Sequence, residues 1–128
     1  MSNADLNVVG RSLERNDGIG HVTGRTTFTA DRSFPRMLHL KVVRSPLNHA
    51  LIRGVDLSEA ALVPRFVRAL THADVPHNVY TILGLIGVEP EEEFVLAVDR
   101  VRYKGEPIVA IVAETEAAAE AGATEVVL

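Results

Sequence analysis

A serine, a histidine and an aspartate close together are the first feature of this sequence that suggests chemistry. Ser45 and His49 lie four residues apart, and Asp56 follows in the same segment. A serine nucleophile needs a base within hydrogen-bonding reach and a third group that orients the base. Ser45, however, precedes Pro46, and serine is an ordinary turn residue in that context. We therefore favour a structural turn over a catalytic triad.

A second group, His72, Asp74 and His77, contains side chains that bind metals in proteins. Zinc sites use such ligands, and short spacings between them are common. The spacing here matches neither one face of a helix nor one face of a strand. We interpret the segment as an exposed loop with two free histidines.

Carboxylates are concentrated at Glu89 and Glu91–Glu93, around Pro90. Paired carboxylates perform acid–base chemistry when their surroundings separate their pKa values. A run this dense is normally a solvated loop, which is the interpretation we adopt. Glu106 stands alone between a glycine and a proline, and a tight turn explains it.

Two features could bind the phosphates of a cofactor. The glycines of Gly18–Gly24 lack a preceding apolar strand and a following helix, both of which a dinucleotide loop requires. Arg44 ends an apolar run and faces a turn, so its guanidinium is expected to bind backbone carbonyls rather than a phosphate. We therefore predict no catalytic, cofactor-binding or metal-ligating residue in this chain.

The composition narrows the class of protein. The chain has 128 residues, of which 47% are hydrophobic and 5% aromatic, with a formal net charge of −4 and no cysteine. This is a globular composition, and nucleic acid is an unexpected partner because no basic patch is present. Disulfides and cysteine-ligated iron–sulfur clusters are excluded. No apolar run approaches the roughly 20 residues that span a bilayer, and we expect a cytoplasmic protein.

The elements that must position these residues alternate between strands and helices. Residues 37–44 alternate apolar and polar side chains, which predicts a strand, and residues 49–57 predict a second strand paired with it as a β-hairpin. Residues 98–103 and 107–113 predict another hairpin, and the latter run is apolar enough to be buried on both faces.

The remaining patterns predict shorter elements. Thr115 is expected to cap a helix over 116–123, and Ser58 is expected to cap a short helix ended by Pro64. Further predictions are a short strand within 21–31, a third strand at 65–71, a helical turn at 72–78, an excursion over 79–96 that ends in a short strand, and the start of a last strand at 124–128. The pattern indicates an α+β fold, with an extended arm over 1–20 and one domain over 21–128 that is cut within its last strand.

Short motifs along most of the chain, from about Val8 to the end, match one family in order and spacing. Two motifs lie in the second half of the chain: Thr71-x-x-Asp74-x-Pro76 and Val101-x-Tyr103-x-Gly105-Glu106-Pro107. The upstream set is Val9-Gly10, Arg15-x-Asp17, Val22-Thr23-Gly24, Ala30-Asp31, Met37-Leu38, Arg44-Ser45-Pro46, His49-Ala50 and Val55-Asp56. The chain resembles the N-terminal part of the molybdopterin-binding large subunit of the xanthine dehydrogenase and aldehyde oxidase family.

The chain departs from this family at two positions. The segment Val63-Pro64-Arg65-Phe66-Val67 stands where the family usually has Pro-Gly-Val, so the turn before the third strand is expected to be remodelled. Phe28 replaces a commoner tyrosine.

The resemblance implies an α/β hammerhead domain with β-hairpins and two short helices. It implies a parent oxidoreductase, bacterial in type, that hydroxylates carbon next to nitrogen or oxygen at a molybdenum centre, with water as the oxygen source. The molybdopterin cofactor would lie in the remaining molybdenum domains, and the 2Fe-2S centres and FAD in other domains or subunits. These are the expected partners. We predict a supporting domain that is inactive alone; the alternative is a free-standing module that binds a small ligand or a protein.

Overall fold

The structure, a computed structural model, describes residues 8–81, 87–88 and 93–128. Contacts divide the chain into two compact units, Met1–Pro35 and Arg36–Leu128. Helix α1 (Gly18–Val22) begins within the predicted arm. The predicted boundary at residue 20 between an arm and a domain stays a prediction.

The strand predicted within 21–31 is wrong. The end of α1 and a 3₁₀ turn at Thr29–Asp31 occupy this segment. The Asp31 carboxylate accepts a hydrogen bond of 2.9 Å from the Phe28 amide and so stabilises the 3₁₀ turn. Short polar side chains that bind nearby backbone compete with strand formation, and this local bond outweighs the strand propensity of the threonines.

The second unit is built on a three-stranded antiparallel sheet. Its strands are β1 (His39–Arg44), β3 (Phe66–Leu70) and β5 (Pro107–Ala113), in the spatial order β1-β5-β3. A separate two-stranded ladder pairs β2 (Ala50–Leu51) with β4 (Arg100–Val101).

Strand β5 is the centre of the core. Val109, Ile111 and Ala113 are fully buried, and Ile108 is 4% exposed, so both faces of the strand are covered. This confirms the prediction made from its continuous apolar run. Helix α2 (Glu116–Thr124) packs on the sheet. A Cβ at Gly122 would lie 3.0 Å from Ile111 Cγ2, so glycine allows the helix its close approach.

The mixed α+β class is confirmed, but both predicted hairpins are wrong. β1 pairs with β5, His39 opposite Ala113, and β2 pairs with β4. A strand that is apolar on both faces needs a neighbour on each edge, and β5 finds them in β1 and β3 rather than in β4, which precedes it. The chain therefore crosses between two ladders at each turn where a hairpin was predicted.

Other predicted elements hold in part. Three predictions are confirmed: the third strand, the helix after Thr115, and the helical turn, which is a 3₁₀ turn at His72–Asp74. The short helix after Ser58 is reduced to a 3₁₀ turn at Ala60–Leu62, without the predicted cap. In the predicted last strand, Val127 forms an isolated β-bridge with Asp56. Much of the predicted excursion over 79–96 lies outside the described residues, but Val79 and Phe94 within it form a β-bridge with each other.

Within the described ranges, no helix has the length and apolar character needed to cross a bilayer.

Candidate functional site

Two of the sequence motifs, Arg44-Ser45-Pro46 and Tyr103 to Pro107, lie against each other. The Arg44 guanidinium donates a 2.9 Å hydrogen bond to the Gly105 carbonyl. The Ser45 amide donates to the Glu106 carbonyl at 3.0 Å, and the Gly105 amide donates to the Ser45 carbonyl at 2.9 Å. We call this contact the two-turn junction. The predicted binding of a backbone carbonyl by Arg44 is confirmed.

Ser45 is 5% exposed, and its hydroxyl is held within its own turn. Ser45 Oγ donates to the Leu47 carbonyl at 2.9 Å and accepts from the Leu47 amide at 3.1 Å. His49 is exposed. With both hydroxyl bonds made inside the turn, Ser45 has the structural role that the sequence favoured.

Asp56, the third member of the possible triad, is held by Ser58. The Ser58 hydroxyl and amide donate to its carboxylate at 2.7 and 2.9 Å. These bonds, the hydroxyl first, lower the pKa of Asp56 because they stabilise the charged form. The structure therefore does not bring Asp56 to His49 as a triad requires.

Asp74 stabilises the 3₁₀ turn at His72–Asp74, which contains two of the three possible metal ligands, whereas His77 lies after it. Its carboxylate accepts a 2.9 Å bond from the Thr71 amide and also pairs with the Arg68 guanidinium. The Thr71 amide, followed by Arg68, lowers the pKa of Asp74. No group of three or more histidine, cysteine, aspartate or glutamate side chains converges within the described residues.

Glu106 is the residue that sequence reasoning underestimated. Only 2% of it is exposed, and its carboxylate accepts a short hydrogen bond from the Arg102 amide. Arg102 Nη1 lies 3.8 Å from the other carboxylate oxygen. Buried glutamate is rare unless paired, so this side chain anchors the turn from inside. Its position directly before the doubly buried strand was the available signal.

A cavity of about 220 Å³ opens beside Glu106. Its lining comprises Tyr80, Glu93, Phe94, Tyr103 and Glu106. We call it the aromatic pocket. The Arg102 guanidinium carbon lies 5.0 Å from the centre of the Phe94 ring, within cation–π range.

The glycine segment and the acidic run are the remaining candidates from the sequence. Gly18–Gly24 forms α1 and the turn after it in the first unit, and the helix is only five residues long. Of the acidic run, Glu93 is exposed, whereas Glu89, Glu91 and Glu92 lie outside the described residues.

Comparison with known proteins gives a consistent result. Residues 23–128 match the family model described as "Aldehyde oxidase and xanthine dehydrogenase, a/b hammerhead domain". The chain is 43% identical over 110 residues to a probable xanthine dehydrogenase subunit of Bacillus subtilis, covering 86% of this chain and 14% of that one. It is 32% identical over 111 residues to the nicotinate dehydrogenase large molybdopterin subunit of Eubacterium barkeri, covering 87% and 25% respectively.

Solved structures agree. The aldehyde oxidoreductase of Desulfovibrio desulfuricans is 34% identical with a TM-score of 0.83, and the match covers 92% of this chain and 14% of that one. The predicted hammerhead fold is thereby confirmed. The chain spans about 14% of the length of several of the relatives it matches.

Proposed function

The chain belongs to the a/b hammerhead domain family of aldehyde oxidases and xanthine dehydrogenases, and we propose that it is a supporting domain of a larger molybdenum-dependent hydroxylase. Its role is to form a stable framework beside the domains that carry the chemistry. By itself it has no catalytic activity. We further propose that the complete enzyme is cytoplasmic.

The two-turn junction is the observation that carries this proposal. Arg44, Ser45 and Glu106 belong to two of the matched motifs, and each of the three side chains is hydrogen-bonded to nearby backbone. No buried side-chain nitrogen or oxygen of the described residues lacks a hydrogen-bond partner. Polar groups that already bind backbone are not poised to act on a substrate.

The cofactors of the family are assigned to other parts of the enzyme. The chain has no cysteine to ligate an iron–sulfur cluster. Its described histidine and carboxylate side chains do not converge on a metal position. A molybdopterin centre would supply oxidation of the substrate with water as the oxygen source, and the residues described here offer no set of ligands for it.

The partners proposed for the chain are the remaining molybdenum domains of a large subunit and the iron–sulfur and flavin subunits or domains. The names of relatives, such as the large molybdopterin subunit of nicotinate dehydrogenase, support an assembly of several parts. The substrate of that assembly is assigned to residues outside this chain.

The test is turnover by the purified 128-residue chain. It is incubated with molybdopterin cofactor, an artificial electron acceptor and, in turn, a purine, an aldehyde and nicotinate. Circular dichroism of the same sample confirms that it is folded. We expect no turnover with any substrate; substrate-dependent reduction of the acceptor by the folded chain contradicts the scaffold role. A free-standing binding module, the alternative, is favoured instead if the coding sequence ends at Leu128.

A further inference from the structure

We propose that the aromatic pocket binds an organic cation, with a guanidinium or a methylated ammonium as the head group. This site is independent of the scaffold role, since a supporting domain can have a ligand site or lack one. The inference combines the aromatic lining, the carboxylates and a guanidinium contact in the same place.

The aromatic lining is unusual for this chain. Only 5% of its residues are aromatic, and it has two tyrosines, Tyr80 and Tyr103. Both line this one pocket, together with Phe94. The two tyrosines are 62% and 54% exposed, so burial of their rings in the core does not explain their positions. Ring faces attract cations through their quadrupole, and three of the five residues given for this lining are aromatic.

Glu93 supplies the complementary charge. It is the exposed carboxylate among the lining residues, whereas Glu106 is 2% exposed and already pairs with Arg102. The five lining residues include no basic side chain.

The structure already contains one contact of this kind. The Arg102 guanidinium lies 5.0 Å from the Phe94 ring centre and 3.8 Å from a Glu106 oxygen. Neither tyrosine ring, by contrast, stacks on a ring or cation among the described residues. We place the second cation on the tyrosine side of the pocket.

The size of the pocket limits the ligand. About 220 Å³ lies below the roughly 300–1,000 Å³ of sites that enclose drug-sized molecules. It accommodates a head group but not a large organic molecule. A free small cation and an arginine side chain of a partner polypeptide both meet this limit.

The experiment uses the intact chain labelled with 3-fluorotyrosine. Tyr80 and Tyr103 are its two tyrosines and both line the pocket, so both fluorine signals report on it. The chain is titrated with tetramethylammonium, which represents a free cation, and with Nα-acetyl-arginine amide, which represents a polypeptide side chain. Sodium chloride at equal ionic strength is the reference. We expect both fluorine signals to shift saturably with at least one organic cation and not with sodium.

The relative affinities identify the source of the natural ligand. Tighter binding of the blocked arginine favours a partner polypeptide, and tighter binding of tetramethylammonium favours a free small molecule; either result supports the pocket. The absence of saturable shifts with both probes, or equal shifts with sodium, overturns the proposal.

Variants connect the binding to the pocket. Glu93→Gln is expected to weaken binding by about threefold to fivefold, as for an exposed charge pair. The matched control Glu125→Gln makes the same charge change on an exposed residue outside the pocket lining and should leave the affinity unchanged. Tyr80→Leu should weaken binding by about twofold to fivefold, whereas Tyr80→Phe should retain it. Equal affinities for Glu93→Gln and the unchanged chain would overturn the proposal, since Glu93 is exposed and its replacement does not threaten folding.

Discussion

Arg65 adopts a backbone conformation that favours glycine, and replacing it should stabilise the domain. Its φ is +70°, in the left-handed region. The Phe66 amide donates to the Val63 carbonyl at 3.1 Å, which closes a turn with Pro64 and Arg65 at its centre. Proline followed by a residue of positive φ is the pattern of a type II turn, where the second central position favours glycine. The remodelled turn expected from the sequence is therefore a turn of this kind with arginine in the glycine position.

The expected gain follows from two opposing terms. A left-handed conformation costs a non-glycine residue roughly 1–2 kcal/mol. Glycine also gives the unfolded chain more freedom, which offsets about 0.5–1 kcal/mol of that gain. Arg65→Gly should therefore raise the free energy of unfolding by about 0.5–1 kcal/mol. For a domain of this size the melting temperature should rise by roughly 2–4 °C.

The assay is urea unfolding followed by circular dichroism, with Arg65→Ala as the matched control. Alanine also removes the side chain and its charge, but it keeps the Cβ that causes the strain, so its stability should stay close to that of the unchanged chain. A glycine variant that is no more stable than the alanine variant refutes the assignment of strain to this turn.

Substitutions at three further residues test other elements. Glu106→Ala should cost about 3 kcal/mol, because it leaves the half-buried Arg102 amide without an acceptor and removes packed methylenes. Glu106→Gln keeps an acceptor and should cost about 1 kcal/mol. Equal losses of stability in urea unfolding would mean that the hydrogen-bond acceptor does not account for the effect. Thr115→Ala should cost about 1 kcal/mol, since the Thr115 hydroxyl accepts from the Ala118 amide at 3.3 Å, and amide exchange should increase first in the initial turn of α2. The lowered pKa of Asp74 means that its contribution to stability is present above the unfolded-state pKa and is lost as the pH falls through the folded-state value, below about pH 4. Asp74→Asn should therefore flatten the acid limb of the stability–pH curve measured by thermal unfolding, and an unchanged acid limb would contradict the bonds assigned to it.

Local sequence patterns predicted elements well but did not predict how the strands pair. The apolar run of β5 indicated burial on both faces, and the Thr115 cap with its alanine-rich helix indicated α2. Pairing was missed because β1 and β5 lie more than 60 residues apart, and the period of two within a strand carries no information about its partner. The proximity of adjacent segments favoured hairpins, whereas the need to cover both edges of β5 decided the topology.

The site was predictable only in part for the same reason. The turn chemistry of Ser45 and the carbonyl contact of Arg44 follow from residue types next to proline and at a strand end. The burial of Glu106 depends on Arg102 and on the two-turn junction, which tertiary structure creates. The aromatic pocket combines Tyr80 with Tyr103 across more than 20 residues of chain, and no local motif marks that combination.

The proposed role of this domain is to support an enzyme without selecting its substrate. The most direct measurement is a graft: the matching segment of the Desulfovibrio desulfuricans aldehyde oxidoreductase is replaced by this chain, and aldehyde oxidation is measured per assembled, molybdenum-loaded enzyme. We predict that the graft oxidises the same aldehydes with unchanged relative kcat/KM values. A changed order of substrate preference in the correctly assembled graft would contradict the supporting role.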